Sequence, residues 1–495
     1  MKRYLLGVDN GGTYIKAALF DINGKQCYLE KLLSMADNDG YGRSERNQQI
    51  LWENNCKCIR NLLVKSGIQA EEIAGVAFAG QGKGLYCVDK NGGSIRPAIT
   101  SADVRAQTIA EQLNDDVKVR QLKLHICQDI HAYQPLAILK WMSVNESHNY
   151  QKIRWIFSMK DYLNFRMTGV AVTDYSSQSG SPFINFTSGQ YDAEIFYAAG
   201  IADKISAMPP LKWPCEICGY VTRTAHEMTG LAVGTPVSVG MFDVNACALA
   251  MGVLRDDTVF MITGTWSINA YVAKRPVMNG LAMFNSLYFV PGYYQIEEGS
   301  PTSAGVLEWA IPLLYPNAND MDGNIYEWIN AEISTLSYIS PELFFLPFVY
   351  GTVDSNRACG AWIGLNAHTS RGEMLAALYE GVAFGHRYHV ERLQKSCGSN
   401  MKYRLAGGVT NSEIWMQIFT DVLNKPIEIL DTSELGALGA AISVGIAVGI
   451  YKNYKAAVQN CVSVKKVLYP DVGSARILEE KYQKFKHYVR MVSEE

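Results

Sequence analysis

This chain carries almost no net charge. Its 45 lysines and arginines oppose 48 aspartates and glutamates, a formal balance of −3 at pH 7. A nucleic-acid binder carries a basic excess or a basic stripe, and the longest basic cluster here, Lys465-Lys466, reads as a solvated face. Apolar runs of membrane length are missing as well. The longest candidate, 437–450, is broken by Gly439, Gly445 and Gly449, whereas a spanning helix needs ~20 apolar residues. Basic residues open the chain, but Asp9 interrupts the apolar stretch behind them, so no secretory leader is read there. The expectation is a cytoplasmic protein with neither nucleic acid nor membrane as a partner.

Recognisable metal and phosphate motifs are equally scarce. The cysteines number 11, an odd count, and are scattered, which suits reduced thiols better than a disulfide framework. Cys215 and Cys218 make one C-x-x-C without a second pair at zinc spacing, and the 8 histidines form no H-E-x-x-H. A metal is therefore expected to be held by carboxylates and phosphate. The run Gly80-Gln-Gly-Lys-Gly84 has a lysine but no Ser or Thr after it, so it is not a Walker A loop. Leu85 takes the last place of the G-x-G-x-x-G spacing. Neither a P-loop fold nor a dinucleotide fold is supported.

What is there begins with length. A single core rarely grows beyond ~250–300 residues, so 495 residues point to two domains. The N-terminus reads as a β-meander: Tyr4–Asp9 as an apolar strand ending on a carboxylate, a Gly11-Gly12 turn, Ile15–Phe20 as a second strand, the hairpin signal Asn23-Gly24, and Gln26–Leu33 as a third. Ile73–Phe78 reads as a buried strand, and Gln134–Met142 and Asp161–Met167 as helices. A weak internal repeat follows: Val259–Thr265 and Ser267–Val272 again read strand, Gly-Thr turn, strand. Two related domains facing each other are expected, divided near 243–258, as 1–245 and 246–495. Further on, Leu375, Leu378, Val382, His389 and Leu393 share a helical stripe, on which His389 reads as a core residue rather than a ligand. The segment Leu435–Gly449 is rich in Gly, Ala and Ser, and Ile477–Val492 reads as an amphipathic helix.

Four pieces carry chemistry. Glycines after a strand let the backbone approach an anion, and successive N–H groups make a phosphate nest. Asp9-Asn-Gly-Gly-Thr13 has this form, with Asp9 suited to hydrated Mg²⁺. Thr263-Gly264-Thr265 repeats it, and two such loops across a cleft would clamp ATP. Asp243, in Gly240-Met-Phe-Asp243, is the candidate base for a substrate hydroxyl. Ala406-Gly407-Gly408-Val-Thr-Asn411, followed by Ser412 and Trp415, offers backbone against which a flat base can lie.

In this order the pieces resemble the FGGY carbohydrate kinase family, which has an α/β fold of two actin/Hsp70-like (ribonuclease H-like) domains with a cleft between them. The resemblance runs from Tyr4 to about Tyr451 and includes Met159-Lys-Asp-Tyr-Leu163, Asp174-Tyr-Ser-Ser177 and the segment Ala406–Tyr451. It implies ATP-dependent phosphorylation of a small sugar on a terminal hydroxyl, and a homodimer as the assembly. Carried over by position, Asp243 is the base and Asp9 and Asp243 face Mg²⁺. Gly12, Thr13, Gly264, Thr265, Gly305, Gly407, Gly408 and Asn411 bind ATP. Gln81, Lys83 and Asp103 bind the sugar beside Asp243. The runs Gly80-Gln-Gly-Lys-Gly-Leu85, Ser101-Ala-Asp-Val-Arg105 and Gly264-Thr-Trp266 look most like L-xylulose kinases. L-xylulose or a close ketopentose is the implied substrate, with D-xylulose, L-ribulose, a tetritol, glycerol or a quorum-signal dione as alternatives within the family, and a sugar-binding ATPase or regulator that does not phosphorylate as the alternative of another class.

Overall fold

Alternation in the first strand sets up the N-terminal half. In β1 (Tyr4–Asn10) Leu5 belongs to one apolar cluster, and Leu6 and Val8 to another on the opposite side. Successive side chains of a strand point to opposite faces, so Leu5, Gly7 and Asp9 share one face and Leu6, Val8 and Asn10 the other. The computed structural model describes residues 3–278, 282–317, 323–336, 340–351, 358–398, 400–432 and 434–493. β2 (Tyr14–Asp21) and β3 (Gln26–Leu33) complete the expected meander. Helix α1 (Gln48–Ser66) leads into β4 (Ile73–Gly80), which lies parallel to β1. After α2 (Met159–Thr168), strands β5 (Ile217–Tyr220) and β6 (Pro236–Ser238) extend the sheet, and α3 (Asp243–Ala250) follows. The strand order is β5-β6-β4-β1-β2-β3, with Met241–Phe242 also paired to β4.

The C-terminal half repeats this plan. Its strands are β7 (Thr258–Thr263), β8 (Ser267–Ala273), β9 (Phe284–Leu287) and β10 (Tyr294–Ser300). Helices α4 (Val306–Leu314) and α5 (Arg371–Gln394) precede β11 (Lys402–Gly407). The chain then runs through α6 (Glu413–Leu423), β12 (Ile427–Leu430), α7 (Leu435–Ala447), β13 (Val464–Leu468) and α8 (Val472–Ser493). The order is β9-β10-β8-β7-β11-β12-β13. β7 is antiparallel to β8 and parallel to β11, just as β1 is antiparallel to β2 and parallel to β4. The weak repeat in the sequence is thus a repeat of topology.

Helix α7 ties the halves together. It lies against the Leu5–Gly7–Asp9 face of β1, so closely that a Cβ on Gly7 would overlap the Ala437 carbonyl. On another side a Cβ on Gly439 would overlap the Ala246 carbonyl of α3. The small residues of Leu435–Gly449 are there because two layers of backbone approach the helix. One apolar cluster consequently contains Leu5, Phe20, Ala77 and Met241 from the first sheet, Phe260 and Val272 from the second, and Leu438 and Ile442 from α7. Residue 245 lies inside α3, so a division between 245 and 246 cuts a helix. His389 is buried, with Nδ1 at 3.2 Å from Glu298. Among the described residues there is no disulfide, and no helix is long and apolar enough to cross a membrane.

Candidate active site

Both sheets end their central strands at one cavity of about 1050 Å³. From the first half it is lined by Asp9, Gly11, Gly12, Thr13, Lys16, Gln81, Gly82, Lys83 and Asp243. From the second come Thr263, Gly264, Thr265, Trp266, Glu297, Gly305, Gly408 and Asn411. The two Gly-Thr loops therefore face the same space, each at the end of a strand whose hairpin partner turns back immediately.

Asp243 is the first residue of α3, and its Oδ1 accepts the Val244 N–H at 2.8 Å. A helix N-terminus favours negative charge there. Burial works the other way, and with the nearby charge of Asp9 it pushes the Asp243 carboxyl up to about 7. Burial likewise raises Asp9 to about 6, against the pull of Lys16. The Lys16 ammonium lies 3.0 Å from Glu434, which Lys31 also reaches at 2.9 Å. Burial opposes ionisation of Glu434, but the two ammonium groups more than offset it and hold its carboxyl below the usual range.

The motif beginning at Met159 acts beneath this site. Lys160 is fully buried between Asp161 and Asp174, the latter 2.7 Å away. Asn164 Nδ2 donates to the Val239 carbonyl at 2.8 Å, and Ser176 Oγ accepts the Phe242 N–H at 3.4 Å. These bonds fix the strand that delivers Asp243. A buried ion pair of this kind adds little net stability, because desolvation of both charges offsets their attraction.

At the other end, Gly305 N–H donates to the Gly264 carbonyl at 3.1 Å, joining the start of α4 to the turn after β7. Gly408 and Asn411 line the cavity, but Gly407 does not. Gly407 has φ of +96°, and a Cβ there would overlap the Thr263 backbone, so its part is to let β11 turn away. Beside Asn411, Trp415 stacks on Tyr379 at 3.9 Å, and Ser412 Oγ donates to Asn330 Oδ1 at 2.7 Å. Tyr379 and Asn330 join Trp415 and Ser412 on the wall. They come from segments without a motif, and only the fold brings them in.

The remaining end surrounds Lys83. This residue sits in the left-handed region, φ +68°, unusual for a side chain other than Gly, Asn or Asp. Its Nζ lies over the Phe284 ring at 3.8 Å and 3.7 Å from Glu297 Oε1. Tyr133 and Trp266 close this end, edge to face at 6.4 Å. Asp103 is displaced from the expected set. It is buried away from the cavity wall, where Ser101 and Ala102 stand instead. Its oxygens are taken by the Ser44 N–H at 2.7 Å and by Arg105 at 2.7 Å, so it shapes the loop rather than facing the cleft.

Residues 4–250 match the N-terminal domain of the FGGY family of carbohydrate kinases, and residues 259–448 its C-terminal domain. The chain is 33% identical over 492 residues to the L-xylulose/3-keto-L-gulonate kinase of Escherichia coli K12, covering 99% of this chain and 97% of that one. The chain belongs to the FGGY family of carbohydrate kinases. A probable L-xylulose kinase of Pasteurella multocida is 35% identical over 442 residues, 89% of each chain. The crystal structure of xylulose kinase from Rhodospirillum rubrum superposes with a TM-score of 0.84 at 25% identity, covering 99% of both chains. As an FGGY kinase, the protein has the two-domain actin/Hsp70-like fold and transfers a phosphoryl group from ATP to a small sugar. A cavity with a loop of each half at its centre, a flat aromatic wall at one end and a charged pocket at the other has the shape that reaction needs.

Proposed function

We propose that this kinase phosphorylates L-xylulose or a closely related ketopentose on a terminal hydroxyl, with Asp243 as the base. The observation that carries the reading is the position of Asp243, a half-buried carboxylate between the two Gly-Thr loops and the Lys83 pocket. Adenosine would lie against Gly408, Asn411 and the Trp415–Tyr379 stack, with its phosphates between Gly12-Thr13 and Gly264-Thr265. Gln81 and Lys83 would hydrogen-bond sugar hydroxyls.

Asp9 fits a divalent cation. Its Oδ1 is buried without a hydrogen-bond partner, and a Cβ on Gly436 would press on its carboxyl group, so the cradle is open on the cleft side only. Mg²⁺ held there would neutralise charge on the β- and γ-phosphates. A cation at Asp9 would offset the lesser of the two main influences that raise Asp243, the larger being burial. Asp243, in its ionised form, accepts the proton of the attacking hydroxyl while the loops hold the acceptor oxygen and the phosphorus in line.

Asp243→Ala should abolish sugar phosphorylation while leaving ATP binding within a few-fold of the parent, measured by ADP release and by nucleotide titration. Near-normal turnover would sink the assignment. A panel of ketopentoses, tetritols and glycerol in the same assay tests the substrate. A sugar acid is the second reading, favoured by the Lys83 ammonium in the pocket and by the name of the E. coli relative. A cytoplasmic homodimer belongs to the same proposal, supported by the family resemblance and tested by light scattering.

A further inference from the structure

Lys83 and Glu297 come from different halves of the molecule and meet at the sugar end of the cleft. Glu297 and Phe284 are direct cross-strand partners on β10 and β9. Opposite residues on adjacent strands point to the same face, so this pair presents a carboxylate and an aromatic face to one ammonium. Nζ lies 3.8 Å from the Phe284 centroid and 3.7 Å from Glu297 Oε1, with side chains only 11% and 5% exposed. The other carboxylate oxygen accepts Gln295 Nε2 at 3.0 Å. The ion pair is too long for a hydrogen bond, and among the described residues no other group accepts from Nζ. Beside it the Tyr133 hydroxyl is buried without a partner. The next residue, Glu298, turns to the opposite face, where its Oε2 meets His389 Nδ1 and Arg392 Nε, each at 3.2 Å.

We propose that Glu297 is the residue that sets substrate charge in this pocket. Lys83 Nζ and Glu297 Oε1, 3.7 Å apart, can both be reached by one hydroxyl lying beside the pair, which accepts from the ammonium and donates to the carboxylate. A neutral ketose therefore satisfies both groups, and the Tyr133 hydroxyl stands ready for a further oxygen. A sugar acid would gain the attraction of Lys83 and meet the repulsion of Glu297 at the same place. Specificity here comes from a group that rejects the competitor as well as one that attracts the substrate. The inference rests on the sugar-kinase reading of the same site and adds the charge class of the sugar.

The test is calorimetric binding of L-xylulose and of 3-keto-L-gulonate to the full-length wild type, Glu297→Gln and Lys83→Gln. Glu297→Gln should shift relative affinity toward the acid by at least tenfold, and Lys83→Gln should shift it away by a similar factor. Equal losses for both ligands in both variants, or a ratio unchanged within twofold, would overturn the proposal. The opposed shifts keep the test decisive if one variant fails to fold. Wild-type enzyme that forms no phosphorylated ketopentose would instead refute the proposed function, and the affinity ratios would still decide the role of Glu297.

Discussion

Asp9 and Asp243 line the floor of the cleft, where Lys16 is already engaged by Glu434. Their carboxyls titrate near 3.8 in an unfolded chain, and burial lifts them to about 6 and about 7 in the folded one. The folded protein thus holds protons that the unfolded chain has lost. The stability this contributes is complete below about pH 4 and disappears as pH rises through 6 and 7, with an upper bound on the order of 4 kcal/mol for Asp243. Asn at this position does not titrate. For protein free of metal and nucleotide, the melting temperature of wild type minus that of Asp243→Asn should fall steadily from about pH 5 to about pH 8; a constant difference would contradict the assigned burial. Much of this site could be read from the sequence. Asp9, Thr13, Gly264, Thr265 and Asp243 sit at strand ends, where a carboxylate or a Gly-Thr pair stands out from its apolar neighbours. Glu297 could not be read, because Glu297 and Glu298 are chemically identical and only the phase of the pleat sends one to the cleft and the other to His389. Asp103 errs in the opposite sense, since nothing local reveals that Ser44 and Arg105 occupy its oxygens.

Helix α7 is an element whose composition was visible before its purpose was. Gly, Ala and Ser in Leu435–Gly449 signal close approach, but which surface is approached depends on contacts with β1 and α3, more than 180 residues away in sequence. Gly439→Val would drive an isopropyl group into the Ala246 backbone. Overpacking of this kind costs about 1–3 kcal/mol, and a urea melt should read a loss in the upper part of that range. The same substitution should lower kcat, because α3 carries Asp243 and the start of α7 abuts Asp9; a stable variant with full activity would show that the two helices can separate without cost. The strand–turn–strand repeat was legible because a strand period and a Gly-Thr turn are local. Helix α1 was not. Its buried Leu51, Trp52, Ile59 and Leu62 are interspersed with Asn55, which is buried as well and donates to Asn10 Oδ1 at 2.8 Å. A polar residue on the inner stripe blurs the helical period that would have announced it.

The two halves are joined by more than the cleft between them. Leu5, Phe20 and Ala77 of the first sheet pack in one cluster with Leu435, Leu438 and Ile442 of α7. Residues 1–250 produced alone should therefore bind a hydrophobic dye and unfold without a sharp transition, whereas the full chain unfolds cooperatively. A fragment with a steep urea transition and no dye binding would show that the first sheet needs no cover. Synthesis of the chain imposes an order on this arrangement. The last residue of α3 leaves the ribosome roughly 190 residues before the body of α7, an interval of about 10–40 s at about 5–20 residues per second. Throughout that interval the nascent first half holds an open greasy face, so the pace of translation over the second half sets how long it depends on chaperones.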